Sequence, residues 1–239
     1  VNLKTYKNDS ISNLNYFIQQ FQKSPSDSIA SFSMKAGSIE LVGGSVFFSN
    51  DNNNQREPFF LDNITFLVDD FNLNENNFEA RFKDFSLTTS KGIDITSFTS
   101  NISFFNQKFK ADALHLETNY SLLQGFISVD LLENDIQKAQ WEASIVESYL
   151  GLKDIHVFNS SISNKGQLFL DTNLEGSLNN FSVTNVKLSS LDTYFEGSFL
   201  VKHLFDKQTP FVIENQIDRF SFSESSINQL IPSAFGSLL

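Results

Sequence analysis

The chain has 239 residues, 40% of them hydrophobic and 19% charged, with 28 acidic against 17 basic side chains, a net charge of −11 and no cysteine. That balance marks a folding chain rather than a disordered tail. It argues against nucleic acid and against docking on an anionic membrane face, and it excludes disulfides, thiolate metal sites and cysteine nucleophiles.

The first periodic element is helical. Ile11, Leu14, Phe17, Ile18 and Phe21 form one apolar stripe, Asp9 or Ser10 caps its start, and Pro25 lies just beyond its end. From Ser31 the apolar period changes to two, the period of a half-buried strand. The predicted strands are Ser31–Ala36, Ser38–Phe48, Phe59–Asn72, Phe78–Thr89, Ile93–Phe104, Phe109–Thr118, Leu122–Leu131, Ala139–Ser148, Gly166–Glu175, Phe181–Ser189, Tyr194–Leu204 and Phe211–Phe222. Turns rich in Asn, Asp, Ser and Gly separate them, such as Ser49–Asn54, Ser90–Gly92 and Asn164–Gly166. A short helix follows Lys153, and another runs from about Ser223 to Ile231. The expected organisation is therefore a leading amphipathic helix over 1–25, repetitive strands over 26–222, and a terminal helix and tail over 223–239. The 27 Phe, against one Trp, one Met and four Pro, carry much of the strand rhythm.

Within strands the phase of the alternation slips. Ile64, Phe66 and Val68 are even-numbered, whereas Phe71 and Leu73 are odd; Phe82 is even and Phe85 odd; Ile95 is odd and Ile102 even. A one-residue slip turns every later side chain to the other face unless a β-bulge absorbs it, and bulges bend and twist the strand. Gly43-Gly44 has the composition of such a bulge. The slips predict a strongly curved sheet. An internal repeat accompanies them: Phe109–Val129 aligns without gaps on Phe181–Val201, an offset of 72 (181 − 109), matching Phe109 with Phe181, Leu116 with Leu188, Gly125 with Gly197 and Val129 with Val201. Repeated β units imply a stacked body in which each unit buries its apolar face with neighbours.

Candidate chemistry is sparse. His115, His156 and His203 have no second ligand at metal spacing, and the acidic clusters Asp69-Asp70 and Asp130/Glu133/Asp134 lack the ligand spacing of a calcium loop. There is no nucleophile elbow and no phosphate-cradling glycine loop. No cofactor, no catalytic residue and no metal ligand is expected, and the chain reads as a non-enzyme. Trp141, the lone Trp, reads as a strand residue on a sheet face. No run approaches the ~18 apolar residues of a membrane span, and no signal peptide is visible. The chain begins with Val1 and is expected to be a segment of something longer, with any anchor outside it.

One succession of short elements carries a resemblance. Lys7-Asn8-Asp9-Ser10-Ile11 leads into the helix, and Ser38–Phe48 holds a strand with Gly-Gly and Phe-Phe. Leu61-Asp62-Asn63-Ile64, Phe82-Lys83-Asp84-Phe85 and Lys91-Gly92-Ile93 come next. Leu152-Lys153-Asp154-Ile155, Glu175-Gly176-Ser177-Leu178 and Asp192-Thr193-Tyr194-Phe195-Glu196-Gly197 follow. Together they resemble the amino-terminal, AsmA-like part of TamB-type translocation and assembly module proteins, in their Bacteroidetes-like form, over nearly the whole chain. The resemblance implies a mostly β fold: an elongated, strongly curved sheet forming an open groove (a β-taco) with short helices at its ends. It also implies a periplasmic protein of a Gram-negative bacterium, anchored in the inner membrane and reaching toward the outer membrane. Its groove would carry phospholipid acyl chains, and its outer-membrane partner would be an Omp85-type barrel. Anchor and barrel contact would both lie outside this chain.

The groove lining expected on this reading is Phe66, Val68, Phe82, Phe85, Leu87, Ile95, Ile102, Phe104, Leu114, Leu116, Ile127, Val129, Leu188 and Phe199. Parity alone does not fix which set faces the lumen, so some of these are expected outside. Two rival readings share the alternation. One is a scaffold for outer-membrane protein assembly that offers strand edges to clients. The other is a plain β-sandwich module of an adhesin or stalk.

Overall fold

A computed structural model describes residues 33–48, 59–74, 77–131, 138–190, 192–206 and 208–223. The predicted amphipathic stripe Ile11–Phe21, the Ser49–Asn54 turn and the terminal helix after Ser223 lie outside the described residues, as do both end segments of the expected organisation.

Eleven strands form one antiparallel sheet in simple sequence order: β1 Ser33–Phe48, β2 Phe59–Asn74, β3 Asn77–Thr89, β4 Ile95–Phe105, β5 Lys108–Thr118, β6 Leu122–Asp130, β7 Gln140–Gly151, β8 Gln167–Ser177, β9 Phe181–Ser190, β10 Thr193–Lys202 and β11 Val212–Ser221. One short helix, α1 (Leu152–Phe158), follows β7. Among the described residues the sheet does not close: β1 pairs with β2 and β11 with β10, and no further strand is paired with either. Its shape is an open, curved groove, as the phase slips predict. With ten interstrand steps of about 4.8 Å the sheet extends roughly 48 Å across its strands.

The strands fall within a few residues of the predicted spans, with one correction. Ser31–Ala36 and Ser38–Phe48 are not two strands. Gly37 sits inside β1, whose ladder to β2 runs from Ser33↔Asn74 through Ser38↔Asp69. A glycine breaks a strand only where the chain turns, and here β2 supplies partners on both sides of it.

The bulges lie where the phase slips. The β1/β2 register shifts at Gly43-Gly44, and the β2/β3 register shifts between Asp69 and Asn72, where Asp70 has φ 53°. Further shifts fall opposite Phe82–Asp84 and between Ile95 and Ser97. Each inserts one residue, so the apolar sets before and after it stay on the same face. The repeat reproduces this in detail. Phe109 pairs with Val129 and Phe181 with Val201; Leu116 pairs with Leu123 and Leu188 with Phe195. The bulged residues Ala113 (φ 51°) and Asn185 (φ 53°) are also 72 apart. The β5–β6 and β9–β10 hairpins are thus copies in register as well as in pattern.

Directly paired residues share a face, so the register assigns every strand position. Most of the buried residues in the strands belong to one face, including Val68 (4% exposed), Ala80 (5%), Ser100 (3%) and Val186 (4%). Among the described residues no second sheet is layered on that face. Burial concentrated on one face of an open sheet is what curling toward that face produces, so that face is read as the inside of the groove. α1 lies across the strand ends at one rim. Leu152 is buried there, and its N–H donates to Gly166 O at 3.0 Å. Asp154 accepts hydrogen bonds from Thr118 Oγ1 and Ser121 Oγ, and Ser121 Oγ in turn accepts the Gly151 N–H at 3.0 Å. This pins the helix to the β5–β6 turn.

Candidate functional site

Four rows of side chains run across the strands on the inner face. In the first, Leu73 faces Phe78, followed in successive strands by Phe104, Phe109, Val129, Trp141, Gly176, Phe181, Val201 and Ile213. The second holds Ala80, Ile102, Ala111, Ile127, Ala143, Leu174, Val183, Phe199 and Asn215. In the third lie Val68, Phe82, Ser100, Leu114, Gly125, Ile145, Thr172, Val186, Gly197 and Ile217. The fourth carries Leu41, Phe66, Phe85, Phe98, Leu116, Leu123, Ser148, Leu170, Leu188, Phe195 and Phe220. None of the four rows contains an ionisable side chain. The adjacent row on the outer face is Lys35, Asn72, Glu79, Ser103, Lys110, Ser128, Glu142, Glu175, Ser182, Leu200 and Glu214. The polarity of the two faces is therefore segregated strand by strand.

All fourteen lining residues named from the sequence fall on the inner face. Phe104 and Val129 are in the first row, Ile102, Ile127 and Phe199 in the second, and Val68, Phe82 and Leu114 in the third. Phe66, Phe85, Leu116 and Leu188 are in the fourth. Leu87 and Ile95 pair with each other one step beyond it. The expectation that some would sit outside is corrected, because the bulges reconcile the two parities. Sequence reading left unnamed Phe98, Ile145, Leu170, Leu174, Val183, Val186 and Phe195. The 72-residue offset was a usable signal for several of them: Leu114 maps onto Val186, Ala111 onto Val183 and Leu123 onto Phe195.

The inner face changes character along the groove. At the β3–β4 end Phe82, Phe85 and Phe98 form a mutual edge-to-face cluster, with centroids 5.6–6.4 Å apart. At the other end Phe195 stacks on Phe199 at 5.0 Å and meets Phe220 at 6.3 Å. Between them the fourth row is Leu116, Leu123, Ser148, Leu170 and Leu188. The small side chains Ala80, Ser100 and Ala111 are nearly covered by larger neighbours, so the surface offered to the lumen is mostly rings and branched aliphatics. Such a surface shelters hydrocarbon by contact area alone, at about 25 cal/mol per Å² of apolar area removed from water.

The polar groups serve the scaffold. Arg81 pairs with Asp70, Lys83 with Asp69 at 3.5 Å and Lys202 with Glu214 at 2.7 Å, all on the outer face. Exposed pairs of this kind contribute at most about 1 kcal/mol each. His115 faces Glu117 at 3.9 Å, His156 Nδ1 lies 2.6 Å from Ile162 O, and His203 Nδ1 lies 3.8 Å from Asp206. The three histidines are thus separate, and among the described residues no group of three or more His, Asp or Glu side chains is placed to hold a metal ion. Lys153 Nζ sits 4.3 Å from the centre of the Tyr120 ring and donates to its hydroxyl at 2.6 Å, reinforcing the α1 attachment. Ser45 donates to Asp62 across β1 and β2, which with the Asn63 N–H holds the Asp62 carboxyl below its ordinary pKa.

No helix among the described residues is long and apolar enough to cross a membrane. No family model matches this chain, and neither a curated protein nor a solved structure does.

Proposed function

We propose that the curved sheet is a conduit segment that carries phospholipid between the inner and outer membranes of a Gram-negative envelope, the acyl chains lying in the apolar groove and the headgroup in solvent at its open side. The observation that carries this reading is the inner face itself, predominantly apolar and free of ionisable side chains in four successive rows, with Ser100, Ser148, Thr172 and Asn215 as its polar members. Exposing an acyl chain to water costs roughly 0.8 kcal/mol per methylene, and a continuous apolar floor offsets that cost at every position along it. Such a carrier needs no catalytic group and no cofactor. Sliding also requires that no single contact be strong, which suits a lining of hydrocarbon without charged anchors. The resemblance to TamB-type proteins supports the same reading. On it, the chain works in the periplasm, with an inner-membrane anchor and an Omp85-type barrel engaged through regions outside this chain.

A second reading, a scaffold for outer-membrane protein assembly, is favoured by β11. Among the described residues no strand pairs with its outer edge, and all ten of its residues are exposed, which is the template needed to add a client strand.

In-cell photocrosslinking separates the two. A photoreactive phenylalanine analogue at Phe82 or Phe104 is expected to capture phospholipid, and the same analogue at Lys110, on the outer face, is not. Capture of outer-membrane proteins along Val212–Ser221 with no lipid at Phe82 or Phe104 would favour the scaffold. No adduct at any inner position would remove the conduit reading.

A further inference from the structure

The inner face contains few polar groups, and their hydrogen bonds can be followed one by one. Ser100 Oγ donates to Asp112 O at 3.0 Å. Ser148 Oγ donates to Val146 O at 2.9 Å and accepts the Gln124 N–H at 2.8 Å. Thr172 Oγ1 donates to Thr184 O at 3.3 Å. Each hydroxyl is thus tied to the backbone and leaves the face chemically inert. Trp141 is different. It lies in the first row on β7, between Val129 of β6 and Gly176 of β8, and its Nε1–H is closed to solvent with no acceptor. The other buried polar side-chain atoms without a partner among the described residues are Asn72 Oδ1, on the outer face, and Thr193 Oγ1, at a strand end outside the four rows.

A buried donor without an acceptor is costly to a fold, and native proteins keep few of them. A phenylalanine would fill this position without that cost, and the chain uses Phe 27 times and Trp once. The acceptor must therefore be sought in something that enters the groove. It has to be carried on an otherwise apolar body, because nothing on this face compensates a charge. A carboxylic ester carbonyl fits: it is uncharged, a good acceptor, and covalently joined to hydrocarbon.

We propose that the Trp141 Nε1–H is a polar handle for the ester carbonyl of a glycerolipid lying in the groove, and that it sets a preference for ester-linked over ether-linked lipids. This rests on the conduit reading. The indole is half-buried, and the handle requires it to turn so that its N–H, closed to solvent here, faces the groove. The strands on either side present no competing side-chain donor in this row. Trp141 would then be the one point where a sliding lipid is registered rather than merely sheltered.

The test compares binding of diester phosphatidylcholine with that of its diether analogue of the same chain length, by displacement of a fluorescent fatty-acyl probe from the full chain. The expected result is a two- to tenfold preference for the diester, the range of a neutral hydrogen bond. In Trp141→Phe that preference falls to parity while the diether affinity is unchanged. If the unaltered protein binds both lipids equally, or if Trp141→Phe keeps the preference, the handle is overturned and the conduit stands. If neither lipid displaces the probe, the conduit fails and the handle with it. The comparison on the unaltered chain needs no variant, so it decides the matter even if Trp141→Phe folds poorly.

Discussion

At the scale of single residues, backbone geometry rather than side-chain chemistry is the tightest constraint on this protein. Gly125 has φ 145°, and a Cβ placed on it would fall on the Ser144 carbonyl oxygen of β7. Backbone cannot yield there without breaking the β6–β7 ladder, so Gly125→Ala is expected to destabilise by about 2–4 kcal/mol, read as a shift in the denaturant midpoint. Gly37 of β1 has open space where a Cβ would stand, with no atom within 4 Å, and Gly37→Ala is expected to be neutral or to stabilise by up to ~1 kcal/mol. Equal effects at the two sites would refute the close-approach argument. Asp62 offers a second residue-scale test. Its folded pKa is depressed below 3.8, first by the Ser45 hydroxyl and then by the Asn63 N–H. The sign follows: the stabilisation is present above the unfolded carboxyl's range and is lost as pH falls through the lower folded value. Ser45→Ala should move the Asp62 titration, followed by carbon NMR, up toward 3.8, and an unmoved titration would exclude Ser45 as the cause.

At the scale of elements, the bulge is the unit that makes the fold. Five of the strands break their alternation at a residue with positive φ: Gly43 in β1, Asp70 in β2, Ala113 in β5, Glu147 in β7 and Asn185 in β9. Without the inserted residue, the apolar half of each strand beyond it would point into solvent. The two repeat copies solve the same geometry with different residues. Asn tolerates the left-handed region and Ala does not, at a cost of roughly 1–2 kcal/mol. Ala113 is exposed, so Ala113→Asn should raise stability by about 0.5–1 kcal/mol and Asn185→Ala should lower it by a similar amount, both visible in Tm. A gain at neither position, or a loss at both, would show that these residues are not equivalent bulges. The slips of phase in the sequence announced the bulges of β1 and β2, but not those of β5, β7 and β9. Asp70 and Ala113 themselves were not legible, because nothing in their side chains requires a left-handed backbone.

At the scale of the whole molecule, each strand packs against its sequence neighbours, and nothing pairs β1 with β11. Stability in such an array is a chain of nearest-neighbour terms rather than one shared core. Hydrogen exchange should therefore be graded: fastest at the open edges β1 and β11, slowest in β5–β9. Uniform protection from β1 to β11 would imply a closed body. The segregation of charge to the outer face and hydrocarbon to the inner one is also a property of the whole. It emerges only when eleven registers are read together, and it is what the conduit reading rests on.

By itself the sequence determined that the chain is β, where its strands and turns fall, that the hairpin Phe109–Val129 recurs 72 residues later, and that the strands bend. All of these follow from local period and turn chemistry, which act over a few residues. Only the tertiary structure decided that the two parities share one face, that this face is the inside, and that the sheet stays open. Those depend on cross-strand register, and register is fixed by pairing between residues up to tens of positions apart. Phe104 and Phe181 could be named as apolar strand residues from their neighbours. That they lie on the same face, joined through Phe109, Val129, Trp141 and Gly176, was settled by which strand pairs with which.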